Sequence, residues 1–68
     1  MNRTLLIKRL REERGTPFLS VNDVAHALRI GKARAKTILA NTDYLDLDDS
    51  RRYFIDDIAD AVLTMRRR

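Results

Sequence analysis

Apolar residues between Val21 and Leu39 recur at a spacing that predicts two short helices joined by a tight turn. One side of both helices carries the residues that we expect to be buried: Val21, Val24, Leu28, Ala35, Ile38 and Leu39. Apolar residues that recur every three or four positions are typical of an amphipathic helix. We place the helices at residues 21–28 and 32–40, with Ile30 filling the turn. Ala25 is small enough to let the two helices cross closely.

A further helix is predicted before this pair. Leu6 and Leu10 stand one turn apart on its inner face, and the helix ends near Arg14. Gly15 follows as a C-terminal cap, because glycine adopts the left-handed conformation without a steric penalty. Pro17 prevents the helix from continuing, because proline lacks the amide proton.

Residues Phe18 and Leu19 form a short extended segment before the next helix. Ser20 is placed to cap that helix, and Asp23 follows three positions later. This spacing resembles a capping box in which Asp replaces the usual Glu. The cap and the apolar repeat therefore predict the same start for the helix, at residue 21.

The hydrophobic pattern changes after residue 43. Two short apolar runs, at 44–47 and 51–55, flank the polar turn at 48–50 and predict a β-hairpin. We assign the aromatic residues and their apolar neighbours to the core rather than to a platform that stacks single-stranded bases: Phe18, Tyr44, Leu45, Leu47, Tyr53, Phe54 and Ile55.

A last helix follows the hairpin and begins at Ile55 or Asp56. Ile58, Val62 and Met65 recur at helical spacing and are expected to form its buried stripe. The predicted order is helix, strand, helix, turn, helix, hairpin and helix, in a mainly α-helical domain.

This order, with the segments FLSVNDVAHALRIGKARAKTIL and RRYFIDDIADAV, resembles the winged helix-turn-helix of phage and transposon excisionases and of MerR-type regulators. The resemblance covers residues 18–63 and implies DNA binding by the second helix of the pair. Arg29 stands where these families often have glycine. No long helix or ligand domain follows, so we expect an excisionase-like factor rather than a MerR-type sensor. The parts of this single domain, 1–68, are an N-terminal helix 1–15, a helix-turn-helix 18–40, a hairpin wing 44–55 and a C-terminal helix 56–68.

The charge of the chain is distributed unevenly. Residues 1–40 hold nine Lys and Arg against three acids, whereas residues 41–68 hold five Arg against seven Asp. The first part should attract a polyanion such as nucleic acid, and much of the second should repel it. The general alternative is that the charges only keep a small domain in solution.

Residues 32–40 place small and polar side chains opposite the predicted buried side, and these are our candidates for DNA base contacts: Ala33, Lys36, Thr37 and Ala40. Small side chains let a helix approach the base edges, and a Thr methyl can contact the methyl of thymine. Lys36 can donate to guanine or to a phosphate. Alternatively, Ala33 and Ala40 only favour helix formation on a solvated face.

Positive side chains near this helix are candidates for contacts with DNA phosphates: Arg29, Lys32, Arg34, Arg51 and Arg52. Arg29 and Lys32 flank the start of the helix, where amide protons favour anions. Arg51 and Arg52 either reach a phosphate or the minor groove, or neutralise the acids of the opposite strand. The arginines at 66–68 form either a phosphate-binding tail or simply the end of a helix.

No catalytic or metal-binding motif is present in the sequence. His26 is the only histidine, there is no cysteine, and DYLDLDDS lacks the glycine and final Glu of a calcium loop. We therefore expect no enzyme activity, cofactor or metal. No apolar run suits a membrane span or a signal peptide, so we expect a cytoplasmic, nucleoid-associated protein without a membrane partner.

The sequence thus predicts a protein that binds double-stranded DNA sequence-specifically and reads the major groove with helix 32–40. It would be an excisionase-like architectural factor or a small transcriptional regulator of a phage or mobile element. One small module gives limited specificity, so we expect self-association on DNA, with a recombinase or another protein as a further partner. The alternative is an interaction adaptor whose acidic hairpin and last helix dock a basic protein.

Overall fold

The fold is mainly helical, as predicted, and consists of four helices and a three-stranded antiparallel sheet. The computed structural model describes residues 2–48 and 50–65. In chain order the elements are α1 (Arg3–Arg14), β1 (Phe18–Leu19), α2 (Val21–Leu28), α3 (Lys32–Ile38), β2 (Leu45–Leu47), β3 (Ser50–Phe54) and α4 (Ile55–Thr64). Residues 66–68, with their two alternative interpretations, lie outside the described residues.

Local signals at both ends define α1. The Asn2 side chain accepts a hydrogen bond from the amide of Leu5 at 2.8 Å. Gly15 has a φ of 66° and closes the helix in the left-handed conformation, as expected. Leu6 and Leu10 are fully buried and pack this helix against α2 and α4.

The capping box predicted at the start of α2 is present. Ser20 Oγ accepts a hydrogen bond from the amide of Asp23, and the Ser20 amide donates to Asp23 Oδ2, both at 3.2 Å. Arg14 Nε also donates to Asp23 Oδ1, at 2.9 Å. Burial acts to raise the pKa of Asp23, but the hydrogen bonds from Ser20 and Arg14 outweigh it and hold the pKa below its ordinary value of 3.8.

The sheet has the strand order β1-β3-β2. Leu19 pairs with Tyr53, and both side chains are buried on the side that faces the helices. The amide of Ile55 donates to the carbonyl of Pro17 at 2.8 Å, which ties the start of α4 to the segment before β1. Through this sheet, residues far apart in the sequence close one core.

The core differs from the prediction in the second half of the helix pair. Ala35 and Leu39 are buried as expected, but Ile38 is only half-buried, as are Val21 and Leu28. Ala27 and Ala59 join the core, although neither was assigned to it. The fully buried large side chains are Leu6, Leu10, Leu19, Val24, Leu39, Ile55 and Ile58.

The assignment of the hairpin to the core is wrong for most of its apolar residues. Tyr53 and Ile55 are buried, but Tyr44, Leu45, Leu47 and Phe54 are 46%, 48%, 48% and 40% exposed, and Phe18 is half-buried. The physical reason is that β2 makes its main contacts with β3 rather than with a helix, and that Phe18 and Phe54 lie on the face of the sheet away from the helices.

The predicted apolar stripe of the last helix is also only partly correct. Ile58 is buried, Val62 is half-buried, and Met65 is 50% exposed. Because α4 ends at Thr64, Met65 lies at its C-terminal cap rather than on its inner face.

Replacing Leu39 with Ala should destabilise the fold by about 2–5 kcal/mol, because it leaves a cavity in the core. Replacing Ile38 should cost clearly less, because its side chain is half-buried. Urea unfolding of both variants measures the difference, with Leu5→Ala as an exposed control. Equal losses for the two variants would show that α3 is rotated from the orientation described.

The stability of the fold should decrease in acid partly through Asp23. Its pKa is lower in the folded chain than its ordinary value of 3.8, so the folded state binds fewer protons than the unfolded state. Stability is therefore lost as the pH falls from 3.8 through the folded-state pKa. Asp23→Asn should flatten this part of the profile in urea unfolding across acid pH. Asp43→Asn, at an exposed loop position, is the matched control, and an unchanged profile in Asp23→Asn would contradict the assignment.

Candidate nucleic-acid interface

The two sides of α3 have different chemistry. Ala35 and Leu39 point into the core, whereas Ala33, Lys36 and Thr37 are exposed on the other side. The exposure predicted for this face is confirmed. That these side chains contact DNA bases remains a prediction.

Ala40 lies beyond the end of α3, which is a correction to the predicted range 32–40. The helix ends at Ile38, and Leu39 is its C-terminal cap. The amide of Ala40 donates to the carbonyl of Thr37 at 3.3 Å, a shorter-range bond typical of a tightened last turn. Ala40 is nevertheless exposed and lies near Lys36, at the edge of the same surface.

The hydroxyl of Thr37 is oriented by its own helix. Thr37 Oγ1 donates to the carbonyl of Ala33 at 3.1 Å, one turn earlier. Its donor is therefore used within the helix. The hydroxyl lone pairs and the methyl group remain for an external contact.

Several positive side chains of α1 are paired with groups elsewhere in the fold. Arg3 Nε lies 2.8 Å from Asp60 Oδ1 on α4, and this hydrogen bond raises the pKa of Arg3. Arg14 bonds Asp23, and Arg9 Nε donates to the carbonyl of Ala27 at 3.2 Å. Part of the positive charge of residues 1–40 is thus used internally.

The positive side chains of α3, like Lys8 and Arg11 of α1, have no ion-pair partner among the described residues. Lys32, Arg34 and Lys36 are exposed, and none forms an ion pair or hydrogen bond through its side chain within residues 2–48 and 50–65. Lys36 lies on the side of α3 that faces the hairpin and Arg34 on the side near Met65, so unneutralised positive groups flank the exposed face of the helix. Such a surface suits a polyanion.

Arg29 occupies the turn in an unusual conformation. It caps α2 with φ 55° and ψ 46°, in the left-handed region, where a side chain is normally disfavoured. Its side chain is exposed and has no hydrogen bond or ion pair with any described residue. The turn therefore carries a positive side chain where glycine would be less strained.

A groove of about 550 Å³ separates α3 from the hairpin. Lys36 and Ala40 line one side, and Tyr44 and Arg51 line the other. The guanidinium carbon of Arg51 lies 4.3 Å from the centre of the Tyr44 ring, a cation–π contact. This contact directs a positive group of the hairpin toward the groove beside α3.

The structure bears on the two alternatives for the hairpin arginines. Arg51 stands opposite Asp46 in the strand register, yet neither Arg51 nor Arg52 forms an ion pair with a carboxylate of the described residues. Arg52 Nη1 instead donates to the carbonyl of Arg51 at 3.3 Å. Asp49 lies outside the described residues. Contact with phosphate therefore remains open to both arginines.

Tyr44 is a candidate site residue that the sequence reasoning missed, because it was assigned to the core. Its ring centre lies 5.9 Å from that of Tyr53, and it supports Arg51. The signal was alternation along an extended segment, since Tyr44 immediately precedes β2 and falls on the same side of the chain as Asp46. The pairing of Asp46 with Arg51 then places Tyr44 beside Arg51.

In residues 2–48 and 50–65, His, Cys, Asp and Glu side chains form no group of three or more that could hold a metal ion. No helix there is long and apolar enough to span a membrane. His26 is exposed, and its Nδ1 lies 2.8 Å from Glu13 Oε2.

Comparison with known proteins adds no relative. No known family, curated protein or solved structure matches the chain.

Arg29→Gly should stabilise the fold by roughly 0.5–1 kcal/mol, because glycine adopts the left-handed conformation without strain. Arg29→Ala removes the same side chain but keeps a Cβ, so it should bring no such gain. Thermal or urea unfolding of both variants tests this. A gain for both, or for neither, would show that the backbone at this turn is not strained.

Proposed function

We propose that this chain binds double-stranded DNA as a winged helix-turn-helix. In this proposal α2 and α3 form the helix-turn-helix, and the hairpin of β2 and β3 is the wing. The exposed face of α3 enters the major groove, and the hairpin lies against the neighbouring backbone.

The observation that carries the proposal is the unneutralised positive face of α3. Lys32, Arg34 and Lys36 are exposed without internal partners, while the opposite side of the helix is anchored by Ala35 and Leu39. A helix held firmly on one side and positive on the other can present its charges to phosphates. Each neutralised phosphate releases counterions, which favours binding.

The small centre of this face supports contact with bases as well as phosphates. Ala33 and the Thr37 methyl leave room for α3 to approach the base edges, and Lys36 can donate to guanine. Arg29 and Lys32 at the start of α3 are assigned to phosphates, with Arg34 on the flank. Arg51 is assigned to a phosphate across the groove, and Arg52, on the opposite face of the hairpin, is assigned to a separate phosphate.

In the cell, such a protein would act by occupying or bending DNA, either in excision of a mobile element or in transcription. A single small module contacts few bases, so we propose that several copies bind adjacent or inverted sites. A recombinase is one further partner that this role would bring to the same DNA.

Variants of α3 should separate base reading from charge attraction. Thr37→Ala or Lys36→Ala should weaken binding to a preferred duplex by about 1–3 kcal/mol more than binding to a scrambled one, because a base contact is lost. Arg29→Gly should weaken both alike and make the salt dependence shallower, because a phosphate contact is lost. The preferred duplex is selected from a random library, and affinities are measured by gel shift at several salt concentrations.

Two controls make this test decisive. Lys8→Ala removes one exposed positive charge from α1, and it should change the affinity less than Lys36→Ala. Arg29→Gly is expected to be more stable than the parent, so weaker DNA binding cannot be attributed to unfolding. No binding to any duplex at low salt, or an equal effect of Lys8→Ala and Lys36→Ala, would refute the proposal.

A further inference from the structure

The face of the sheet that points away from the helices carries four large apolar side chains, with Ser50 and Arg52 of β3 among them. Phe18 pairs with Phe54, and their ring centres are 5.4 Å apart. Leu45 and Leu47 lie on the same face, beside β3. We call these four residues the outer face; Phe54, Leu45 and Leu47 are exposed, and Phe18 is half-buried.

The side chains of β2 point in the opposite directions from those expected of a solvated strand. A solvated antiparallel strand usually directs apolar residues inward and polar residues outward. Here Leu45 and Leu47 point outward, and Asp46 lies on the inner side opposite Arg51. Contiguous exposed apolar surface of this kind marks an interaction site.

The outer face also contains a cavity with charged side chains at its edge. A cavity of about 230 Å³ lies between Phe18, Leu45 and Phe54. The carboxylates of Asp43 and Asp57 lie at its edge, and both side chains are exposed without an ion pair in the described part of the chain. Arg52 is the one positive side chain among the residues that line it.

From these features we infer that the outer face docks an amphipathic helix of a partner protein whose apolar stripe is flanked by Lys or Arg. Because β1 pairs with the end of β3 and β2 with its beginning, the four apolar side chains form a diagonal strip across the sheet, along which one helix about 10 Å in diameter can lie. A helix layer on an apolar sheet face is also the usual way to cover it. Asp43 and Asp57 select positive flanks on the partner.

Apart from Arg52, which lies on the outer face opposite Leu45, this surface is separate from the proposed DNA-binding surface. The groove beside α3 is lined from the hairpin by Tyr44 and Arg51, whose side chains lie on the inner side of the strands. The outer face lies on the other side of the same hairpin. The inference therefore goes beyond DNA binding and does not depend on it.

The test uses the full chain and two synthetic helical peptides with the same leucine stripe, one flanked by lysines and one by glutamates. Amide chemical shifts are followed by NMR while each peptide is added. The lysine peptide should shift the signals of Phe18, Leu45, Leu47 and Phe54, and the glutamate peptide should bind much more weakly. Leu45→Ser combined with Leu47→Ser should lower the affinity for the lysine peptide at least about tenfold, because central apolar contacts are lost.

Matched variants control for general stickiness and for charge. Leu5→Ser removes a leucine that is 58% exposed on α1 and should leave the affinity unchanged. Asp43→Asn combined with Asp57→Asn should lower the affinity for the lysine peptide several-fold without disturbing the apolar contacts. Thermal melting of each variant verifies that it is folded.

Three results would overturn the inference. Equal binding of both peptides would exclude selection by charge. Signal shifts confined to α1 or α3 would place binding elsewhere. A dimer of the chain alone in sedimentation, converted to monomer by Leu47→Ser, would show that a second copy covers this face instead of a helix from another protein.

Discussion

The carboxylate of Asp23 joins three parts of the chain, and the arrangement of the other elements depends on it. It accepts hydrogen bonds from the Ser20 amide and from Arg14 Nε. The end of α1, the end of β1 and the start of α2 are therefore held together at one point. Since β1 pairs with β3 and α2 leads directly to α3, this junction also fixes how the hairpin and the exposed helix face are presented.

The elements that the sequence predicts well are those whose signals are local. The bounds of α2 and the caps at Ser20 and Gly15 follow from the chemistry of a few adjacent residues. The end of α3 was less predictable, because nothing in the sequence after Ile38 forbids another turn of helix. Burial of the hairpin was not predictable in this way, because it depends on which distant element lies over each strand. Leu45 and Leu47 look like core residues until β2 is seen to make its main contacts with β3 rather than with a helix.

In the candidate site, too, the features with local signals could be predicted from the sequence, and those that depend on tertiary contacts could not. The exposed face of α3 follows from helical periodicity alone, so Ala33, Lys36 and Thr37 could be named from the sequence. The role of Tyr44 beneath Arg51 depends on the strand register, which a single sequence does not specify. The ion pairs of Arg3 with Asp60 and of Arg14 with Asp23 are likewise tertiary contacts. They distinguish arginines that are paired within the fold from positive side chains that remain free to bind a ligand. The left-handed conformation of Arg29 was suggested only by its place in the turn.

The position of Asp46 has a consequence for how the protein behaves when concentrated. β2 is one of the two edge strands of the sheet, and an unpaired strand edge invites pairing with another molecule and growth into aggregates. β2 is only three residues long, and its middle residue is the charged Asp46. Stacking such edges would bring aspartates of neighbouring molecules together, and their repulsion opposes continuous sheet formation. A chain that exposes Leu45 and Leu47 on the face of its sheet thus keeps the edge of the same strand unsuited to fibril growth.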